Sequence, residues 1–172
     1  GASWLANHVK IGPDVNIKQG WVFDNFDFVE AYEVDADNKY LCNPDGVLMS
    51  KDKTVLIKYP AGSKEFSFYT VPDTVKTISY GAFEFSSALK TVFLNDGLET
   101  IDTFAFFNCN NLLYITVPGT VTSMGRGIFS QCRVLNKVTF EEGKTVTVKR
   151  GEKISPALAV TLSREGVEKG AY

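Results

Sequence analysis

The side chains best suited to chemistry in this chain are few and scattered. The single histidine is His8, three cysteines stand at Cys42, Cys109 and Cys132, and carboxylates come at short spacing in Asp35-x-Asp37 and Glu141-Glu142. Serine and cysteine nucleophiles commonly take their base from a histidine. Such a site would have to assemble on His8, close to a terminus where order is usually poor. The cysteines are odd in number with no C-x-x-C pair, which writes neither a disulfide framework nor a zinc site. Asp35-x-Asp37 has the alternating carboxylates of a calcium loop, but Lys39 takes the next alternate position and no glycine follows where that loop must turn. It reads as a solvated turn. Glu141 and Glu142 could be the acid pair of glycoside hydrolysis, yet adjacent residues of a strand point to opposite faces, and they read as turn charges. With no glycine-rich phosphate loop and no metal-spaced ligands, we expect no enzyme, no metal and no cofactor.

The elements that would position any site are bounded by composition. The chain has 172 residues, 44% of them hydrophobic and 13% aromatic, enough for one compact domain or one domain with an appendage. Its 18 Lys+Arg against 20 Asp+Glu give a net charge of −2, without the basic excess of a nucleic-acid or anionic-membrane binder. The longest apolar run, Leu112 to Val117, is interrupted by Thr116 and falls far short of the roughly 20 residues that span a bilayer. The chain opens Gly1-Ala2-Ser3 with no secretory h-region, which leaves open whether a signal was removed or the chain begins late. There is no Asn-x-Ser/Thr sequon, which argues against a heavily glycosylated eukaryotic ectodomain.

An internal repeat dominates the rest. Residues 69–91, 92–114 and 115–137 align without gaps as three units of 23 residues. In register stand Val71, Leu94, Val117 and Phe140; Val75, Leu98 and Val121; Ile78, Ile101 and Met124; Phe83, Phe106 and Phe129; Leu89, Leu112 and Leu135; and Val92, Ile115 and Val138. One such unit cannot bury its own apolar face, so the units must stack as a β-rich solenoid in which each column becomes a continuous ladder. Turn pairs Pro72-Asp73, Asp96-Gly97, Pro118-Gly119 and Glu142-Gly143 close the strand-like segments. A short helical or 3₁₀ turn is expected to drive one Phe per coil into the core. Cys109 and Cys132 share a column one coil apart, near enough in principle to bridge, and read as two buried thiols.

Period-two alternation turns the other strand residues outward. They form two columns, Phe68, Thr91, Tyr114, Lys137 and Thr70, Phe93, Thr116, Thr139. Exposed rings offer contact area at little entropic cost, so these eight residues are the expected ligand-binding face. The competing reading is that Thr and aromatics simply favour strands and that a neighbouring segment covers the face.

The sequence Leu-x-x-Val/Ile-x-Leu/Val, Pro-Asp-x-Val, Ile, Ala-Phe, Cys, Leu, clearest at Ile101, Ala105-Phe106, Cys109 and Leu112, resembles the BspA-type leucine-rich repeats of bacterial surface proteins. Ser86 stands where the other units have Cys109 and Cys132, and Ile128 where Ala is usual. The resemblance implies a right-handed leucine-rich-repeat stack of 23-residue coils with parallel strands, at an extracellular or cell-surface location, and adhesion through a protein or glycan partner. An alternative is a structural spacer with no ligand of its own.

The solenoid is expected over residues 1–143. A degenerate coil at about 11–34 is recognised by matching Phe23 to Phe83, Val29 to Leu89, Tyr32 to Val92 and Val34 to Leu94. An insertion at about 35–68 follows, and then regular coils over 69–143. The insertion carries two apolar strands around the polar turn Ser50-Lys51-Asp52-Lys53, a β-hairpin, and its phrasing resembles an insertion that recurs in BspA-type proteins. From Lys144 the period stops. Residues 144–172 read as a β segment that caps the stack or begins a second module. Oligomeric state stays open, because an uncapped end could be buried by a second copy.

Overall fold

The computed structural model describes residues 7–135 and 137–141, with the backbone of three short strands beyond them. The strands are β1 (His8–Ile11), β2 (Ala31–Val34), β3 (Leu41–Cys42), β4 (Leu48–Ser50), β5 (Val55–Lys58), β6 (Phe68–Thr70), β7 (Thr77–Ile78), β8 (Thr91–Phe93), β9 (Thr100–Ile101), β10 (Tyr114–Val117), β11 (Ser123–Met124), β12 (Lys137–Phe140), β13 (Val146–Val148), β14 (Lys153–Ile154) and β15 (Val160–Thr161). They make a β-solenoid with two rows of strands. The front row holds the pairs β1–β2 and β6–β8 and the trio β10–β12–β15; the back row is one sheet in the order β14-β13-β11-β9-β7-β5-β4-β3.

The coil length is written in the register. His8 pairs with Ala31, Phe68 with Thr91, Tyr114 with Lys137, and Thr77 with Thr100 and then Ser123, all parallel and all 23 residues apart. The first coil therefore begins at His8, earlier than the sequence pattern suggested. Between the rows, the ladders expected from the repeat form one continuous core. Phe83, Phe106 and Phe129 are fully buried and stacked, with centroids 4.8 and 5.7 Å apart.

The corner that carries these rings differs from the helical turn expected. In the regular coils, alternate N–H groups bond along different directions. Ala82, Glu84 and Ser86 donate to the carbonyls three residues back, Ser79, Gly81 and Phe83, while Gly81, Phe83 and Phe85 donate to Thr103, Ala105 and Phe107 of the next coil. A 3₁₀ helix would spend every donor within its own turn. Here half of them knit neighbouring coils together. The alternation needs left-handed residues at fixed places, and positive φ recurs at Gly81, Phe104 and Gly127 and at Phe85, Asn108 and Gln131. Asn25 also has positive φ, at 69°, and it occupies the position that the Phe23-to-Phe83 alignment equates with Phe85. The first coil turns this corner through a 3₁₀ segment, Gly20–Phe23.

The insertion is a hairpin, β4 antiparallel to β5, but it is no appendage: β5 pairs in parallel with β7 and carries the back sheet onward. Its two faces serve two cores. Val47, Met49 and Leu56 join the ladder core, while Leu48 and Ile57 pack with Ile11, Phe23, Val29, Tyr32 and Leu41 in a second cluster. Burial on both faces explains apolar runs without alternation. At the other end β13 adds in parallel to β11, whereas β14 and β15 run antiparallel to β13 and β12. The turn expected at Glu142-Gly143 lies outside the described residues, and so do the side chains beyond Glu141.

Candidate functional site

All eight outward residues lie on the front row facing away from the core. Phe68, Thr70, Phe93, Tyr114, Thr116 and Lys137 are exposed, and Thr91 and Thr139 half-buried, while their strand neighbours Val92, Ile115, Val117, Val138 and Phe140 are buried. Three rings, Phe68, Phe93 and Tyr114, keep about half of their surface open, at 51%, 49% and 48%. Phe68 meets Phe93 edge-on with centroids 6.3 Å apart. No described residue covers them to the degree expected of a core position.

The structure gathers half of these residues into a cleft. Thr91, Phe93, Tyr114 and Thr116 line a depression of about 230 Å³ together with Val92, Leu94, Asp96, Pro118 and Glu141. Thr70, Lys137 and Thr139 flank it without lining it. Asp96 and Glu141 were missed as site residues, since each stands just past a strand end and reads in sequence as turn chemistry. Glu141 continues the β10–β12 ladder, its N–H donating to Val117 O of the preceding coil at 2.9 Å, and it also borders the cleft. Phe66, 54% exposed and 6.2 Å from Phe68, extends the aromatic row on the segment before β6. It precedes the regular coils, so no column pointed to it. The cleft thus offers two rings, two threonine hydroxyls and two carboxylates, a surface able to stack on and hydrogen-bond a partner.

The other chemistry-bearing residues have structural partners. His8 Nδ1 lies 2.7 Å from Glu33 Oε1 across the β1–β2 pair. The Asp35 carboxylate accepts the Asp37 N–H at 2.9 Å, the local bond of an Asx turn. Cys109 and Cys132 are buried free thiols, donating to Phe83 O at 3.1 Å and Phe106 O at 3.0 Å. Burial raises the Cys109 thiol well above its usual value.

Sequence gave no sign of one buried ionic cluster, set where hairpin and first coil meet the regular stack. Lys58 Nζ donates to Gly81 O at 2.8 Å and lies 3.8 Å from Glu84 Oε2, both side chains being nearly inaccessible. Burial lowers Lys58 and raises Glu84 to about 7, the latter helped by a hydrogen bond to Asp24 and opposed by the Lys58 charge. Glu84 looked in sequence like any other turn residue of its coil.

A family model described as "BspA type Leucine rich repeat region" matches residues 61–150 in six copies. The chain belongs to this family. The BspA-type chain is also similar to the crystal structure of a leucine-rich repeat protein from Eubacterium ventriosum ATCC 27560, at 30% identity and a TM-score of 0.75, over 83% of this chain and 37% of that one. The pneumococcal vaccine antigen PcpA shares the fold, at 24% identity and a TM-score of 0.66, over 79% of this chain and 39% of the antigen. The BspA-type chain thus spans well under half of either protein. No curated protein matches it. Among the described residues, no helix is long and apolar enough to cross a membrane.

Proposed function

We propose that this BspA-type solenoid is a non-catalytic, adhesion-type module of a bacterial secreted or surface protein, holding a protein or glycan partner on the outward face of its front strands. The observation that carries this reading is the row of half-exposed rings Phe68, Phe93 and Tyr114 above a fully packed core. A contiguous row of exposed rings marks an interaction surface where rings scattered singly do not, and solenoids generally bind through such extended faces. Thr70, Thr91, Thr116, Lys137 and Thr139 supply the polar surround. We take residues 144–172 as the cap of the stack, a reading supported by the antiparallel strands β14 and β15 that end both rows.

The test is a binding screen of the chain against host matrix proteins and glycans, with the Phe93→Ala/Tyr114→Ala double variant alongside. A saturable partner bound by the parent and lost by an equally stable variant supports the reading. The absence of any partner that the variant loses overturns it: a partner retained in full lies on another face of the molecule, and no partner at all favours a spacer that presents the rest of a longer polypeptide.

A further inference from the structure

A second cleft, larger than the one on the strand face, opens at the hairpin end of the molecule. It measures about 480 Å³ and is walled by Asn16, Ile17 and Lys18, by Lys39, Tyr40 and Leu41, and by Ser50, Lys51 and Asp52, over a floor of Val55 and Ile57. Three independent segments thus meet around one space, and a single buried side chain ties them. Asn38 donates from Nδ2 to Gly12 O and Val15 O, both at 2.8 Å, and accepts from the N–H groups of Tyr40 and Leu41 at 2.8 and 2.9 Å. Lys51 Nζ donates to Asn38 O at 2.9 Å. The walls are therefore held before any ligand arrives, which lowers the ordering cost of binding.

The charge around this space is one-sided. Lys18, Lys39 and Lys51 line it, and none of them pairs with a carboxylate among the described residues. The single lining carboxylate, Asp52, is held charged by bonds from Ser50 Oγ and Thr54 Oγ1 at 2.8 Å and from Thr54 N at 3.1 Å, so three ammonium groups stand against one carboxylate. The chain as a whole carries a net charge of −2, so the cluster is a local reversal and not a share of a general basic excess. Tyr40, 49% exposed, adds a ring beside the ammonium groups. A ring and aliphatic floor suit the C–H face of a sugar, and ammonium groups suit an acid carried on it. The volume suits one or two sugar rings and is far below a protein interface in extent.

We propose that this cleft is a second binding site, for an anionic saccharide bearing a carboxylate or sulfate group. The site is distinct from the strand face and stands or falls separately from it. The test titrates the full chain by calorimetry with three probes: a hyaluronan tetrasaccharide for the carboxylate, a heparin-derived disaccharide for the sulfate, and chitotetraose as the neutral control. An acidic probe should bind, the stronger of the two naming the acid. Affinity should fall as salt rises, and it should drop about tenfold or more in Lys18→Gln/Lys39→Gln, whose exposed positions leave folding intact. Tyr40→Ala should weaken binding with the salt dependence kept, and Phe93→Ala/Tyr114→Ala should leave it unchanged. Failure of both acidic probes, equal binding of chitotetraose, indifference to the lysine substitutions, or loss in the strand-face variant each overturns the proposal.

Discussion

From Tyr69 to Glu141 the apolar columns of the repeat pack against their own counterparts one coil away, whereas the first coil and hairpin meet the stack without a counterpart to copy. The difference shows in polar groups. Cys109 and Cys132 each reach a carbonyl of the preceding coil, Phe83 O and Phe106 O. Ser86 heads the same column, but the chain before it is the hairpin segment, and its hydroxyl is buried without a hydrogen-bond partner, as are the Tyr32 hydroxyl and, inside the regular coils, Oδ1 of Asn95, whose column otherwise holds Pro72 and Pro118. The register also changes at this boundary, Val55 pairing with Thr77 at 22 residues instead of 23. A ladder satisfies a group by repetition, and its first rung has nothing to repeat. The junction adds the Lys58–Glu84 pair and a close backbone approach at Gly20, the latter a device the regular coils also use, where Gly125 lies against the backbone of Thr103.

The largest effect should come from breaking a ladder at its centre. Leu112→Ala is expected to cost roughly 2–5 kcal/mol in urea melts by opening a cavity between Leu89 and Leu135, while Tyr114→Ala, two residues away and outward, should stay within about 0.5 kcal/mol. Equal losses would refute the inside and outside assignment. Next, Gly20→Ala places a Cβ 2.5 Å from the carbonyls of Ile57 and Tyr80. We expect roughly 1–3 kcal/mol of overpacking, with hydrogen exchange accelerated in residues 8–34 and protection kept in β9 to β12. Uniform acceleration would mean that the two regions unfold as one.

The third prediction concerns pH. Glu84 holds its proton in the folded chain up to about 7 because burial disfavours the charge, while the unfolded chain releases it near 4.5. Between those values the native state binds more protons, so stability falls as pH rises through this window. Glu84→Gln should flatten that slope, as read from melts at pH 5 and 7, roughly the two sides of the transition. A slope unchanged in the variant would assign it to another group. The smallest effect is a gain: Ser86→Ala and Tyr32→Phe each remove an unpartnered buried hydroxyl and should stabilise by about 1 kcal/mol. The matching Cys109→Ala should destabilise, because that thiol fills its column and has a partner.

The sequence by itself determined the repeat length, the inward columns and the outward face, because stacking at one fixed spacing makes a 23-residue period and a two-residue alternation sufficient to say which side chains face which way. It also marked the hairpin, through two apolar strands around a polar turn, and Phe23 as the first rung. Tertiary structure alone decided the rest. That Glu141 and Asp96 border a cleft, that Glu84 is buried against Lys58 and Asp24, and that Lys18, Lys39 and Lys51 surround one space depend on segments far apart in the chain. No periodicity connects such segments, and only their packing brings the charges together.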